Sequence, residues 1–131
     1  MSFSWLSATC ADPELTAEFL GMRNWTWWLD ANTSVVVPFE EAARGDHREL
    51  FVMREYHMYH CTYMWRKLHR GLLGSQDNAE GRGVVDTYIG EIEHTAHCEM
   101  MLLGMEGDGS AIDKTATDTA ILMKFLQCMW T

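Results

Sequence analysis

A five-residue pattern, H-x-x-H-C, occurs twice in this sequence. The two copies hold four of the six histidines and two of the four cysteines. Such a concentration of scarce residues predicts a site with chemistry, because imidazole and thiol groups are metal ligands and nucleophiles. The residues that define the two copies are His57, His60, Cys61, His94, His97 and Cys98.

Helical spacing would bring these side chains together. Residues three and four apart share one face of a helix, so each copy forms a stripe, and two facing helices would collect four imidazoles. Buried imidazoles must find partners, and a cluster of them most often binds a metal. Imidazole-rich sites suit zinc, copper, iron and nickel, and copper(II) binds most such ligand sets more tightly than zinc.

Other interpretations of the two copies remain open. A structural zinc site would use four His and Cys ligands and leave no open coordination position. The chain has more ligands than one such site requires, which favours two metals, or one metal plus a disulfide. The Glu91-x-x-His94 spacing also resembles a di-iron carboxylate site, but Arg54 occupies the matching position before His57.

The elements that would position the motifs are predicted to be helices. Residues 48–70 lack Gly and Pro and carry apolar residues at helical spacing, and residues 85–103 have a similar pattern. A last helix is predicted at about 117–129, where Ile121, Leu122, Phe125 and Leu126 form an apolar stripe. The sequence therefore predicts a mainly α fold in which the two motif helices face each other.

The first 47 residues predict an irregular, Trp-rich N-terminal arm before this helical core at 48–131. Within it, Asp12-Pro13 resembles a helix start and Gly21 an end. Residues 35–37 suit an edge strand or extended arm, followed by a turn of helix at 39–44. The tryptophans near residue 27 would cover the core as a lid or line a substrate cleft.

Composition limits the possible partners. The 131 residues, 47% of them hydrophobic, suit one domain spanning 1–131. A formal net charge of −9 argues against nucleic acid or an anionic lipid surface as the main partner. The sequence contains no long apolar segment that predicts a membrane span or a signal peptide.

The cysteines and two sequons bear on the cellular compartment. Cys10, Cys61, Cys98 and Cys128 suit two disulfides in an oxidising lumen, or four reduced thiols. The sequons at Asn24 and Asn32 favour the secretory route, with the cytoplasm as the alternative.

The paired motifs, with Arg66 and Lys67 soon after the first, resemble the UstYa-like family of fungal oxidases. The resemblance covers about residues 35–105, including Val36-Val37-Pro38 and Glu40-Glu41-Ala42 before the first motif. It implies an enzyme that oxidatively modifies a fungal secondary metabolite or peptide by cyclisation, hydroxylation, dehydrogenation or C–H halogenation. It also implies copper held by the motif histidines, and disulfides supporting the site.

On this basis we expect one or two copper ions, with zinc or iron as alternatives, and O2 as a co-substrate. The residues assigned to metal binding are His57, His60, His94 and His97. The residues assigned to proton transfer or to hydrogen bonds with the ligands are Glu55, Glu91 and Glu93. The residues expected to line the substrate are Trp27, Trp28, Tyr59 and Tyr63. The cysteines, Cys10, Cys61, Cys98 and Cys128, are expected to form disulfides or to act as ligands.

A function of a different class also fits the sequence. The chain could be a zinc-stapled helical module without catalysis, whose tryptophans contact a protein partner. Exposed tryptophans in a small domain are consistent with a homodimer or a partner subunit.

Overall fold

The computed structural model describes residues 4–74, 83–104 and 112–131 of the chain. Most of the two polar breaks predicted at 74–83 and 104–110 lies outside these described residues. The helices are α1 (Pro13–Gly21), α2 (Phe39–Ala43), α3 (Arg54–Leu73) and α4 (Ile92–Leu103), with a 3-10 turn at Ala8–Cys10. The strands are β1 (Ser4–Trp5), β2 (Trp27–Trp28), β3 (Val36–Val37), β4 (Glu49–Val52), β5 (Val84–Asp86), β6 (Thr119–Leu122), β7 (Lys124–Phe125) and β8 (Cys128–Trp130).

The described strands form three small sheets. The largest has four antiparallel strands in the order β3-β2-β4-β6. Strand β1 pairs with β7 in parallel, and β5 pairs with β8 in antiparallel orientation. The fold is therefore mixed α/β, and the prediction of a mainly α domain is wrong.

The helix predicted at 117–129 is absent from the structure, and β6, β7 and β8 occupy that segment. Short apolar runs suit a helix or a strand equally, so contacts elsewhere in the fold decide between them. Here β4 provides the pairing edge, with Leu50 opposite Ile121 and Val52 opposite Thr119. The last segment is therefore extended because strands earlier in the chain, β4, β1 and β5, pair with β6, β7 and β8.

Both motif helices begin later than predicted. Residues 49–52 form β4, and α3 starts at Arg54 and ends at Leu73, with Gly74 as its C-cap. Residues 84–86 form β5, and α4 starts only at Ile92. The runs before each helix are rich in β-branched and aromatic residues, which pair as strands when a partner is present.

The prediction of an irregular N-terminal arm is also wrong, because this region contributes to the core. Helix α1 begins as predicted, with the Asp12 side chain accepting a hydrogen bond from the Leu15 N–H at 2.9 Å and Pro13 at the first helical position. Phe19 and Trp27 are almost completely buried. The N-terminal segments therefore pack against α3 as integral parts of the fold.

The edge strand predicted at 35–37 and the turn of helix predicted at 39–44 are confirmed. Strand β3 is the edge of the four-stranded sheet, and Pro38, which lacks an N–H to donate, precedes the single turn of α2.

Helix α3 is buried on two faces, and this positions the first motif. One face carries Tyr56, Tyr63 and Met64 into the main core, with spacings of seven and eight residues. The other face carries Cys61 into a small second cluster with Cys98 of α4. Residues that pack around the second cluster are Met58, Trp65, Met101 and Leu102. The motif histidines therefore lie where α3 meets α4.

A disulfide joins the two ends of the described chain. Cys10 in the 3-10 turn is bonded to Cys128 in β8, 118 positions later in the sequence. Within the described residues, none of the helices is long and apolar enough to cross a bilayer.

Candidate metal centre

Helices α3 and α4 bring the four motif imidazoles into one row, as the periodicity predicted. The order is His97, His57, His60 and His94. The centroids of neighbouring rings are 5.1, 5.8 and 5.9 Å apart along this row. Two imidazoles bound to one tetrahedral ion have centroids about 5.2 Å apart, given metal–nitrogen bonds of about 2.0–2.1 Å. Each neighbouring pair is therefore within a small movement of the separation that a shared ion requires.

The row does not amount to a formed site. Among residues 4–74, 83–104 and 112–131, no three His, Cys, Asp or Glu side chains converge in the arrangement of a metal centre. Instead, the donor atoms lie in two groups. His57 and His97 form an imidazole pair at one end of the row, and His94 and Cys98 form an imidazole–thiol pair at the other.

The imidazole pair consists of His57 and His97, whose Nε2 atoms are 3.2 Å apart. Two nitrogens bound to one tetrahedral ion are about 3.3 Å apart. The Nδ1 atom of His57 is buried and has no hydrogen-bond partner among the described residues. Burial, together with the nearby His97 and His94, lowers the pKa of His57 to about 4. The ring is therefore neutral at physiological pH, which is the form that binds a metal.

A cavity of about 330 Å³ opens beside this pair. His57 and His97 line it together with Arg54, Met101 and Asp118. Arg54 donates through Nη2 to both carboxylate oxygens of Asp118, at 3.0 and 2.9 Å. Cavities of this volume lie at the lower end of the range for small-molecule sites. Two larger cavities, of about 660 and 470 Å³, surround α1, and none of the four motif histidines lines them.

At the other end of the row, His94 lies beside two buried thiols. The Cys98 Sγ atom is 3.7 Å from His94 Nε2, and both cysteine side chains are inaccessible to solvent. The pKa of Cys98 is lowered to about 5, first by a hydrogen bond with Cys61 and then by His94 and His97, whereas burial opposes the shift.

The four cysteines thus have two different states. Cys10 and Cys128 form a disulfide, as one of the expected pairings allowed. Cys61 and Cys98 are reduced, so the second of the two disulfides that the four cysteines allowed is absent. Their place beside His94 matches the other role considered for them, that of ligands.

The most important neighbour of the site that the sequence did not reveal is Tyr88. It falls within the helix predicted at 85–103, whereas it lies in the turn between β5 and α4 with its ring centroid 4.0 Å from that of His94. The Asp86 carboxylate holds this turn by accepting hydrogen bonds from the N–H groups of Tyr88 and Ile89, both at 3.0 Å. An Asp that begins a turn is a sequence signal that could have identified it.

Asp86 is itself held by a buried ion pair with Lys67 of α3, at 2.5 Å. The two side chains are 1% and 8% exposed, respectively. Lys67 therefore connects the first motif helix to the turn that carries Tyr88.

The three predicted carboxylates lie at the two helix starts. Glu55 is in the first turn of α3, with its Oε1 atom 3.8 Å from Arg23 Nε. Glu91 and Glu93 are exposed at the N-terminal end of α4. A role for them in catalysis stays a prediction.

The four aromatic residues expected to line a substrate belong mainly to the core and its edge. Trp27 and Tyr63 are buried in the main core, and Trp28 lies in β2. Tyr59 accepts a hydrogen bond from Arg23 Nη2 at 2.6 Å. None of the four is among the described residues that line the 330 Å³ cavity.

Comparison of the chain with protein-family models, with curated proteins and with solved structures gives no match. The resemblance to UstYa-like oxidases therefore stays a prediction that rests on the paired motifs.

Proposed function

We propose that this protein is a copper-dependent oxidoreductase that oxidatively modifies a small molecule or peptide, with O2 as the oxidant. The observation that carries the proposal is the His57–His97 pair, whose Nε2 atoms are 3.2 Å apart beside an open cavity. The paired H-x-x-H-C motifs and their resemblance to UstYa-like fungal oxidases supply the choice of reaction and of metal.

The donor atoms fit a metal ion. The two Nε2 atoms of His57 and His97 are 3.2 Å apart, close to the separation of two nitrogens on one ion. Nitrogen donors bind copper(II) more tightly than other divalent ions of the first transition row. When bound, copper would supply one-electron redox chemistry. His57 and His97 would hold it.

The cavity indicates what the substrate side of the site can do. Arg54 and Asp118 place a positive and a negative charge on its wall, and Met101 adds an apolar surface. These groups would orient a substrate that has both polar and apolar parts, such as a peptide side chain or a small ring. The substrate would therefore contact the residues that line this cavity, and not the four aromatic residues that the sequence suggested.

We also assign the protein to an oxidising compartment, either the secretory lumen or the outside of the cell. The Cys10–Cys128 disulfide supports this assignment, because such bonds are rare where thiols are kept reduced. The sequon residues Asn24 and Asn32 are both exposed.

The test is copper binding by the full chain and by two variants, His57→Ala and His97→Ala. Each variant removes one of the paired nitrogens, so we expect copper(II) affinity to fall at least about tenfold in a chelator competition. Reductant-driven O2 uptake by the copper-loaded protein should fall in parallel. His69→Ala is the matched control, because His69 is an exposed histidine of the same helix outside the motif.

Two results would contradict the proposal. The first is wild-type copper affinity in both motif variants. The second is a protein that takes up only zinc in a closed tetrahedral site and consumes no O2, which would favour the zinc-stapled interaction module instead.

A further inference from the structure

The thiols of the two motifs lie in a buried apolar cluster, and Met101 of this cluster also lines the cavity. Cys61 and Cys98 are fully buried and pack in one cluster with Met101, which is 7% exposed. Met58, Trp65 and Leu102 complete the surroundings. Neither cysteine is among the described residues that line the 330 Å³ cavity. This end of the row therefore differs from the His57–His97 pair in both chemistry and access.

The spacing of donors at this end suits a shared ion. At metal–sulfur and metal–nitrogen bonds of about 2.3 and 2.0–2.1 Å, sulfur and nitrogen on one tetrahedral ion are about 3.6 Å apart. The observed distance from Cys98 Sγ to His94 Nε2 is 3.7 Å. An ion could therefore join these two atoms with little movement of α4, on which both residues lie.

The third donor is Cys61, which contributes from α3. Its side chain is packed with that of Cys98 in the same buried cluster. Metal ions displace the protons shared among such groups, because thiols ligate as thiolates. A side-chain rotation of Cys61 within the pocket would complete a set of two sulfurs and one nitrogen. His60, 5% exposed and 5.9 Å from His94 between ring centroids, is the nearest fourth donor.

Charge decides which ion this pocket suits. Two thiolates and a divalent cation sum to zero, whereas two thiolates and copper(I) leave a negative charge in apolar surroundings. Burying an uncompensated charge is costly, so the neutral combination is favoured. Zinc also accepts sulfur and imidazole ligands together and needs no open position in a structural site.

We propose that Cys61, Cys98 and His94 form a second, closed metal site that binds zinc and joins α3 to α4. The site does not depend on the copper assignment, because it uses different donors from the His57–His97 pair. It assigns the cysteines of the two motifs to binding a structural ion. The open imidazole pair is left for catalysis.

Cobalt(II) substitution of the full chain tests this proposal, because cobalt occupies zinc sites and thiolate ligation gives an intense charge-transfer absorption. We expect the wild-type protein to show this absorption together with the visible bands of a tetrahedral ion. The absorption should persist in the His57→Ala/His97→Ala double variant and fall to half or less in Cys98→Ser, which keeps only the Cys61 thiol. In a chelator competition, we expect zinc affinity to fall about 100-fold or more in Cys98→Ser and to change less than about threefold in His69→Ala.

The wild-type measurement keeps the test decisive even if Cys98→Ser does not fold. A wild-type cobalt protein without thiolate charge transfer would overturn the second site, as would a folded Cys98→Ser protein that retains the absorption at its full wild-type intensity. Copper(I) as the only thiolate-bound metal would also overturn the assignment of zinc. Loss of copper binding in the histidine variants with no thiolate signal would leave the copper proposal standing alone. If the cobalt protein shows thiolate charge transfer but His57→Ala and His97→Ala bind copper like the wild type, the zinc site stands and the copper proposal fails.

Discussion

Tyr88 lies against His94, with their ring centroids 4.0 Å apart and their planes inclined by 39°. Lys124 Nζ is 4.0 Å from the centroid of the same tyrosine ring, in a cation–π contact. Burial raises the pKa of Tyr88 to about 12, and the nearby Cys98 and Cys61 add to the shift. The phenol is therefore neutral, and its ring acts as a packed wall that fixes the orientation of the His94 imidazole.

Replacing this wall should weaken both the fold and the zinc site. We expect Tyr88→Leu to lower the free energy of unfolding by roughly 1–2 kcal/mol, because it removes the ring contacts with His94 and Lys124. Zinc affinity should fall about tenfold, since His94 would lose its orientation. Tyr88→Phe keeps the ring and should remain within about 0.5 kcal/mol of wild type. Urea unfolding and chelator competition measure the two effects. Equal losses in both variants would assign the effect to the hydroxyl group instead.

The pKa of His57 predicts how the stability of the metal-free protein depends on pH. The unfolded chain has the ordinary histidine pKa of about 6.5, whereas the folded protein has a pKa of about 4 at this residue. Below pH 6.5 the unfolded state therefore binds the proton more readily. The contribution of His57 to stability is complete above about pH 6.5 and is lost as the pH falls towards 4, with about 2 kcal/mol lost by pH 5.

Urea unfolding at pH 7.5 and pH 5 in the presence of a chelator measures this loss. His57→Gln should show a smaller decrease than wild type, by about that amount, because glutamine does not titrate. His69→Gln should behave like wild type, since His69 is exposed. Identical pH dependence in all three proteins would show that His57 is not the group responsible.

The buried Lys67–Asp86 ion pair should be important for both stability and the site. Lys67→Met leaves the Asp86 carboxylate buried without its cation, which is expected to cost about 3–5 kcal/mol of unfolding free energy. Because the same carboxylate holds the turn of Tyr88, metal affinity should fall as well.

Arg66→Met is the matched control for this variant. Arg66 is the preceding residue on α3 and pairs at 2.8 Å with Glu18, and both side chains are almost half exposed. Exposed ion pairs contribute little, so we expect a cost below about 1 kcal/mol. The importance given to the buried pair would be refuted if Lys67→Met were no more destabilising than Arg66→Met.

The features that the sequence predicted correctly depend on neighbouring residues. The start of α1 follows from Asp12 and Pro13, and the histidine stripes follow from the helical repeat within each motif. The meeting of His57 with His97 needed only the further assumption that the two motif helices face each other. These signals act within one or two turns of chain, so they can be recognised without knowledge of the fold.

The features that the sequence did not predict depend on partners far along the chain. The residues of β4 were predicted to be helical because their partner strand is not visible in the local sequence. That partner is β6, which places Ile121, far along the chain, opposite Leu50. The division of the motif residues into a nitrogen pair and a sulfur group also depends on how α3 is rotated against α4. No spacing within either motif encodes that rotation.

The Cys10–Cys128 bond makes nearly the whole polypeptide a covalently closed ring, since the two residues are 118 positions apart. A protease that cuts one peptide bond between them would open the backbone without separating the pieces. Such a nicked molecule would migrate as a single species in non-reducing electrophoresis and as two fragments after reduction. The helices that carry the histidines would stay tethered to each other after the cut, so metal binding could outlast an intact backbone.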